Sequence, residues 1–424
     1  MPESASLQRN TLWMIAGHGV SLVFQAAYFI LIGRTLGSHD YGAFVGVVAL
    51  VNVLSQFSSL GMEMILVRNI SRVRESFSTT WGSALLISAC GFAVLLILAI
   101  AIGHFTLKPE LQRLIPYIAL SDALFGKIWQ LSSRAFQGAG MLTHTARLTA
   151  LSNITRAVSA LGLFLLVLVT HCHADALLWT RIYWLSSLAT AIVSFSWVTR
   201  SLGWPAFARI QMCDLTDGLS FSLSSSSISV YNDIDKTLLA SMGQLQAAGI
   251  YAAAYRIIDV ASVPIYAIYT AATPRFFREG GRRVCNASAL AGRLLRRTIP
   301  YGVVMALLLF AGSSFLPLVF GRSFRGSVEA LRWLCLLPLI RGLHYAWGTT
   351  ITGSASQWYR TATQLGAAGM NLLLNVALIP RWSWRGAAIA SLLTDAALAA
   401  GSWVVLQYLR AKEDARTIAI TQLV

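Results

Sequence analysis

Charge is scarce in this chain, and negative charge most of all. The 424 residues hold 17 Asp and Glu against 33 Lys and Arg, and all charged types together make up 12%. A string of ordinary soluble domains is excluded, since those carry about 25% charged residues. The five cysteines, Cys90, Cys172, Cys213, Cys285 and Cys335, are scattered and form no C-x-x-C pair. Neither a disulfide framework nor a zinc site of familiar spacing is expected, and no metal is assigned. No nucleophile motif, paired catalytic carboxylates or phosphate-binding glycine loop occurs, and no long polar insertion interrupts the apolar runs. A membrane-embedded polysaccharide polymerase, ligase or acyltransferase is therefore disfavoured, because each needs a catalytic constellation near an interface. The start, MPESASLQRN, lacks a basic n-region and a cleavage site, so the first apolar run is expected to remain as a membrane span.

What the chain has in abundance is apolar sequence, at 56% of residues. Runs of about 20 such residues are long enough to cross a bilayer. Spans are predicted at about 12 to 32, 41 to 64, 80 to 102, 114 to 133, 146 to 169, 176 to 198, 218 to 242, 247 to 272, 298 to 320, 328 to 350, 359 to 379 and 387 to 409. The expectation is an all-α integral membrane protein of about twelve transmembrane helices. The net charge of +16 does not indicate a nucleic-acid partner, because the basic residues lie in short clusters between the spans. They act first as topology signals. Arg68, Arg72, Arg74, Arg134, Arg147, Arg200 and Arg209 fall on one side, with the arginine-rich stretch from Pro274 to Arg297, which suits a helix lying on the membrane surface. The other side holds only Arg34, Lys108, Arg113, Arg322, Arg325, Arg381 and Arg385. The bias places both termini in the cytoplasm.

An internal repeat is also visible. Laying Gly42 on Gly249 pairs Phe44 with Tyr251, Asn52 with Asp259 and Arg68 with Arg275, and brings Gly37 within one position of Gly243. Six spans on either side give two lobes in the same orientation, at 1–212 and 213–424, the arrangement in which a substrate path runs between bundles.

RTLGSHDYGAF after the first span, SLGMEMILVRNISR closing the second, DIDKTLLASMGQLQAAGIYAAAYR, Pro274 to Phe276, and GAAIASLLTD at Gly386 to Asp395 carry a family resemblance. In their order and spacing the chain resembles the polysaccharide transporter (Wzx-type flippase) family of the multidrug, oligosaccharidyl-lipid and polysaccharide exporter superfamily. The resemblance implies a bacterial inner-membrane protein, not an enzyme. It would move undecaprenyl-diphosphate-linked oligosaccharide repeat units between leaflets, for O-antigen or exopolysaccharide synthesis, by alternating access of two six-helix lobes around a central cationic cavity. It further implies membrane lipids as surroundings, a polymerase and a chain-length regulator as partners in the pathway, and no cofactor beyond a proton or sodium gradient.

Such a carrier needs positive charge at mid-depth for the diphosphate, and arginine's planar fork suits phosphate oxygens. Arg156, Arg256 and Arg341 lie deepest in their spans, and Lys127 and Lys236 are further candidates. Each is alternatively a structural residue paired with a carboxylate, and either lysine alternatively snorkels to the headgroups. Lys127, Gln130 and Arg134 share one helix face, and Ser222, Ser226, Ser229, Asp233 and Lys236 form a second polar stripe at steps of four and three. Asp122, Asp233, Asp259 and Asp395 are candidates for ion coupling, with Asp259 placed to exchange between Arg256 and a cation. His171, Cys172, His173 and Asp175 read as an ordinary loop rather than a metal cluster. Trp179, Trp184, Trp382 and Trp384 read as an aromatic belt. A cation-coupled drug antiporter of the same superfamily is the alternative function; it would want acids to dominate its cavity.

Overall fold

The structure is a computed structural model that describes residues 2–171, 173–206, 212–281, 283–354 and 357–421. It is 91% helical, with no strand among the described residues. That is what a lipid environment requires of a spanning chain that does not close into a barrel, since each backbone amide must be satisfied within its own segment. Contacts divide the chain into two compact units. The first is Met1–Ser229 with Ala240–Gly249, and the second is Val230–Leu239 with Ile250–Val424.

The first unit holds α1 (Pro2–Ser55), α2 (Met62–Arg72), α3 (Phe77–Thr106), α4 (Pro109–Gln112) and α5 (Ile115–Ala119). A π-helical turn (Leu120–Phe125) leads into α6 (Gly126–Gly138), α7 (Leu142–Thr170) and α8 (Ala176–Leu202), and α9 (Met212–Ser241) begins here. Met62, Ile65, Leu66, Trp81, Leu131, Phe136 and Val198 form a core that fastens α2 and α6 to α3 and α8. The second unit takes the middle of α9, then α10 (Leu245–Gly280) from Ile250, α11 (Val284–Gly312), α12 (Leu316–Phe320), α13 (Ser327–Leu334), α14 (Leu337–Gly353), α15 (Gln357–Trp382) and α16 (Trp384–Thr421). Ile265, Tyr269, Phe276, Ala287, Leu290 and Ala346 hold α10, α11 and α14 together. The passage from one unit to the other lies inside α9, beyond the residue 212/213 division suggested by counting spans. The serine-rich half of α9 belongs with α1, where Ser226 Oγ donates to the Val53 carbonyl at 3.2 Å.

Seven helices are long and apolar enough to cross a membrane, among the described residues: residues 74–106, 142–170, 176–202, 245–280, 284–320, 358–382 and 384–415. Only 22% of the most apolar stretch of the first of these is buried within the protein. Val94, Ile97, Phe105, Val169, Leu318 and Leu373 stand exposed in rows that water would not tolerate and lipid does. The chain is a multi-pass membrane protein. Of the other predicted spans, the seventh falls within the unbroken α9, and others are interrupted. The tenth breaks between α13 and α14, and the fourth passes through the π turn. The surface helix expected between Pro274 and Arg297 is not a separate element. α10 runs on through Pro264 and Pro274 to Gly280, and α11 starts at Val284, so Arg275, Arg278, Arg293, Arg296 and Arg297 ride on two long helices, Arg283 stands at the N-cap of the second, and Arg282 lies outside the described residues.

The glycines matched by the internal repeat play matching parts. Gly37 breaks α1 at a φ of 72°, and Gly243 separates α9 from α10 at 74°, a region that L side chains enter only with strain. Gly42 and Gly249 pack directly on each other in the first unit. A Cβ on Gly42 would overlap the Leu245 carbonyl, and one on Gly249 would overlap that of Ser38, its counterpart in the repeat. The crossing is self-complementary, as at a two-fold axis. Close by in chain terms, Arg68 ties the end of α2 to the start of α9 through Asp214 at 2.6 Å and Asp217 at 2.7 Å. Val at position 42 or 249 is expected to cost about 1 to 3 kcal/mol by overpacking against backbone that cannot yield. The melting temperature of the purified protein in detergent checks this, and an unchanged value would show the crossing to be adjustable.

Candidate functional site

Among the described residues, the five cations singled out in the sequence fall in three clusters. The largest lies in the second unit, beside a cavity of about 290 Å3. Arg341, on α14, has a side chain only 6% exposed. Its Nη1 donates to Asp259 Oδ1 at 3.1 Å, its Nε to Asp395 Oδ2 at 3.4 Å and its Nη2 to Tyr255 Oη at 2.5 Å. α14 packs here on α10 and α11, with Gly342 beside Ile265 and Ala346 in the core the three helices share. Arg256 reaches Asp259 one turn along α10, Nη1 to Oδ2 at 3.7 Å. Asp259 is therefore shared between two guanidiniums, and its side chain is 39% exposed, whereas Asp395 is 5% exposed. His344 sits 3.8 Å from the other oxygen of Asp395.

Lys236 continues the cluster along α9. Its ammonium donates to Asp233 at 2.7 Å and to the Asn232 carbonyl at 2.6 Å, and lies 3.8 Å from Asp235. Asp235, wholly buried, accepts from Tyr251 Oη at 2.5 Å, with Ser391 Oγ at 3.4 Å. The Tyr255 ring takes Lys236 at 4.3 Å and Arg341 at 5.1 Å from its centre, so two cations share one aromatic face system. Lys236 does not reach for an interface, as snorkelling would have it; it is 3% exposed and committed to carboxylates.

In the first unit Arg156, on α7, faces Asp122 at 3.4 Å and stacks on the Tyr183 ring at 4.9 Å. Tyr183 Oη donates to the same Asp122 oxygen at 2.6 Å. Asp122 sits inside the π turn, whose extra residue sets it apart from the straight helical register of α6. Elsewhere in that unit Lys127 Nζ meets Glu63 Oε1 at 2.7 Å.

All five cations singled out in the sequence thus lie against carboxylates. The arrangement brings Arg256, Arg341, Asp259 and Asp395 together with Asp233 and Lys236 nearby; Arg156 with Asp122, and Lys127 with Glu63, stand in clusters of their own. Sequence reasoning did not single out Tyr255, Asn232, Asp235, Tyr183 or Glu63 as site residues. Tyr255 and Asn232 do lie one helical turn from Asp259 and Lys236, so a search for polar neighbours at i±4 would have found them. Glu63 gives no such signal, since its partner is 64 positions away. The polar stripe on α9 is turned inward, with Ser222, Ser226, Ser229 and Lys236 all buried. No group of three metal-binding side chains occurs among the described residues. Asp175 accepts the Leu178 amide at 2.8 Å as the cap of α8, His173 is exposed, and Cys172 lies outside the described residues. Trp179 is not part of an interfacial belt, being fully buried among Tyr28, Phe44 and Tyr183; Trp382 is exposed as a belt residue would be.

Residues 7–279 match the family model described as "Polysaccharide biosynthesis protein". The chain belongs to this family. No curated protein matches it by sequence. Among solved structures, the family member is similar to an inward-facing multidrug resistance MATE transporter of the MOP superfamily, at 15% identity and a TM-score of 0.70, over 94% of this chain and 99% of that one. It is similar to the lipid II flippase MurJ in an inward closed conformation, at 10% identity and a TM-score of 0.72, over 93% and 87%. A Pyrococcus furiosus MOP superfamily transporter, described as having reversed binding-pocket polarity, matches at 16% identity and a TM-score of 0.63, over 95% of each chain. The family member therefore has the two-lobed helical fold of these proteins, which are transporters and flippases rather than enzymes.

Burial separates the two acids that hold Arg341. Asp395→Asn should cost about 3 kcal/mol, the scale for removing one partner of a buried pair. Asp259→Asn, at an exposed carboxylate with solvent to screen it, should cost less than about 1 kcal/mol. Removing both partners in Arg341→Gln/Asp395→Asn should recover most of the loss. Thermal melts of the four proteins test the order, and equal costs for the two single acid variants would contradict it.

Proposed function

We propose that the chain is a flippase that carries undecaprenyl-diphosphate-linked oligosaccharide repeat units across the bacterial inner membrane by alternating access, for O-antigen or exopolysaccharide synthesis. The observation that carries this reading is Asp259, an exposed carboxylate held by two arginines at the wall of a polar cavity. A guanidinium inside a membrane must always be compensated. Asp259 does this for Arg341 and Arg256 while the cavity is empty of substrate, and it is the partner easiest to replace. A diphosphate entering the cavity offers oxygens to both forks at once. The net gain is the difference between phosphate and Asp259, which keeps the hold weak enough for release. Asp395, buried on the far side of Arg341, keeps the side chain in place throughout. Tyr255, Tyr266 and Tyr345 line the same cavity and present aromatic faces to a sugar.

Family membership and the likeness of the fold to transporters support the reading. A proton or sodium ion competing for Asp259 would loosen its grip on both arginines and so couple substrate capture to an ion gradient; Asp122, Asp233 and Asp395 are the other acids in reach of an embedded cation. No metal or organic cofactor takes part. The arginine bias of the connections assigns both termini to the cytoplasm. The pathway's polymerase and chain-length regulator are the partners downstream. The drug-antiporter alternative has one observation in its favour: Asp233 and Asp259 balance Arg256 and Arg341 in the cavity lining, so the lining is not cationic overall. Both acids are already engaged by resident cations, however, which leaves a cationic drug no carboxylate of its own.

Replacing Arg156, Arg256 or Arg341 with Gln is expected to abolish display of surface polysaccharide, with the protein still recovered from the membrane fraction. Glycan display in a complemented deletion strain is the readout. Normal display in all three variants would sink the assignment, and drug resistance lost in its place would favour the antiporter.

A further inference from the structure

The first unit has a cavity of its own, about 160 Å3 in volume. Lys127, Gln130 and Arg134 line it from one face of α6, Glu63 from α2, and Ser222 and Ser225 from α9. It lies at the arginine-rich end of the unit, where α2 leads into Arg72 and Arg74 and α6 turns toward Arg147. Nothing in the reading of Arg341 and Asp259 uses it.

Two positive groups and one negative group meet at this wall. Lys127, with its side chain 5% exposed, holds Glu63 at 2.7 Å. Arg134 donates at 2.7 Å to the neutral carboxamide of Gln137. The balance is one positive charge in excess, surrounded by hydroxyl and amide donors. A buried lysine needs a counterion at all times, and Glu63 supplies it until a stronger anion arrives. Lys127 and Arg134 stand seven residues apart, about 10 Å along α6, with Gln130 between them on the same face. A single phosphate would meet only one of these cations at a time, whereas a diphosphate reaches toward both.

We propose that this cavity is a receiving site for the diphosphate headgroup of a lipid, in which an incoming phosphate oxygen takes Lys127 from Glu63 while the second phosphate engages Arg134. The proposal rests on the reading of the chain as a carrier of diphosphate-linked lipids, and it adds a first station in the other unit. Glu63 is the element that keeps this station from becoming a trap. When the headgroup leaves, the carboxylate closes again on Lys127 and no uncompensated charge remains.

The test is calorimetric binding of geranyl diphosphate to the full-length protein in an uncharged detergent. The background is Arg256→Gln/Asp259→Asn/Arg341→Gln/Asp395→Asn, which removes both arginines of the second unit's cavity together with their acids, so that the binding read is not theirs. Saturable binding is expected, and Lys127→Gln should weaken it by about tenfold, the value of one charge-assisted hydrogen bond. Arg134→Gln should do the same, and because it breaks no buried ion pair it reports on binding without disturbing the fold. Glu63→Gln should strengthen binding several-fold by removing the competitor, a gain that no purely structural ion pair would produce. Geranyl monophosphate should bind about tenfold more weakly than the diphosphate, and inorganic pyrophosphate no more tightly than geranyl diphosphate. The proposal is overturned by absence of binding, by binding unchanged in Arg134→Gln, by weaker binding in Glu63→Gln, by equal affinity for the monophosphate, or by inorganic pyrophosphate binding more tightly than the lipid. Loss of glycan display in the Arg256 and Arg341 variants is scored separately, so the transport reading and this site fail on different measurements.

Discussion

A guanidinium that sits inside a membrane protein and cannot shed its proton shapes much of the second unit. Arg341 has to be neutralised from more than one direction, because one carboxylate leaves donors unsatisfied and hydrocarbon offers none. Asp395 from α16, Asp259 and Tyr255 from α10 and Asn232 from α9 converge on it. Four helices are thereby placed by the needs of one side chain. The packing around them joins α14 to α10 and α11 through Ile265, Tyr269, Phe276, Ala287, Leu290 and Ala346.

The same economy recurs on a smaller scale in the first unit. Arg156 with Asp122 and Tyr183, and the buried Lys127 with Glu63, are a triad and a pair that neutralise a cation with fewer groups. Exposure grades the acids. Asp235 and Asp395 are sealed, while Asp259 is 39% exposed and faces the cavity. Under the function proposed above, this grading suits a carrier for an anion, since a site made only of bare cations would bind too tightly to release and would be costly to insert.

The helical framework was legible in the sequence because its causes are local. Apolar runs of spanning length, the glycines at 37, 42, 243 and 249, and the inward polar stripe of α9 all follow from periodicity and the special conformations of glycine. The embedded basic residues were legible too, as outliers in apolar surroundings. Their partners were not. Glu63 lies in a stretch that reads as an ordinary helix end, yet it is the counterion of Lys127. Trp179 looked like a belt residue from its position near a helix end, but the packing of α1 against α8 buries it entirely. Likewise the arginines between Pro274 and Arg297 seemed to ask for a surface helix, and the continuity of α10 and α11 absorbs them.

What the sequence determined by itself is therefore the class of molecule: a helical chain confined to a membrane, built as a repeat, with positive charge placed where hydrocarbon would forbid it. The tertiary structure alone decided which acid faces which base, and so which charges are sealed and which stand at a cavity wall. The reason is geometric. Spanning and periodicity are properties of one helix, readable along the chain, whereas neutralising Arg341 requires groups more than fifty and more than a hundred positions apart to meet within about 3.5 Å, and only the packing of helices brings them there.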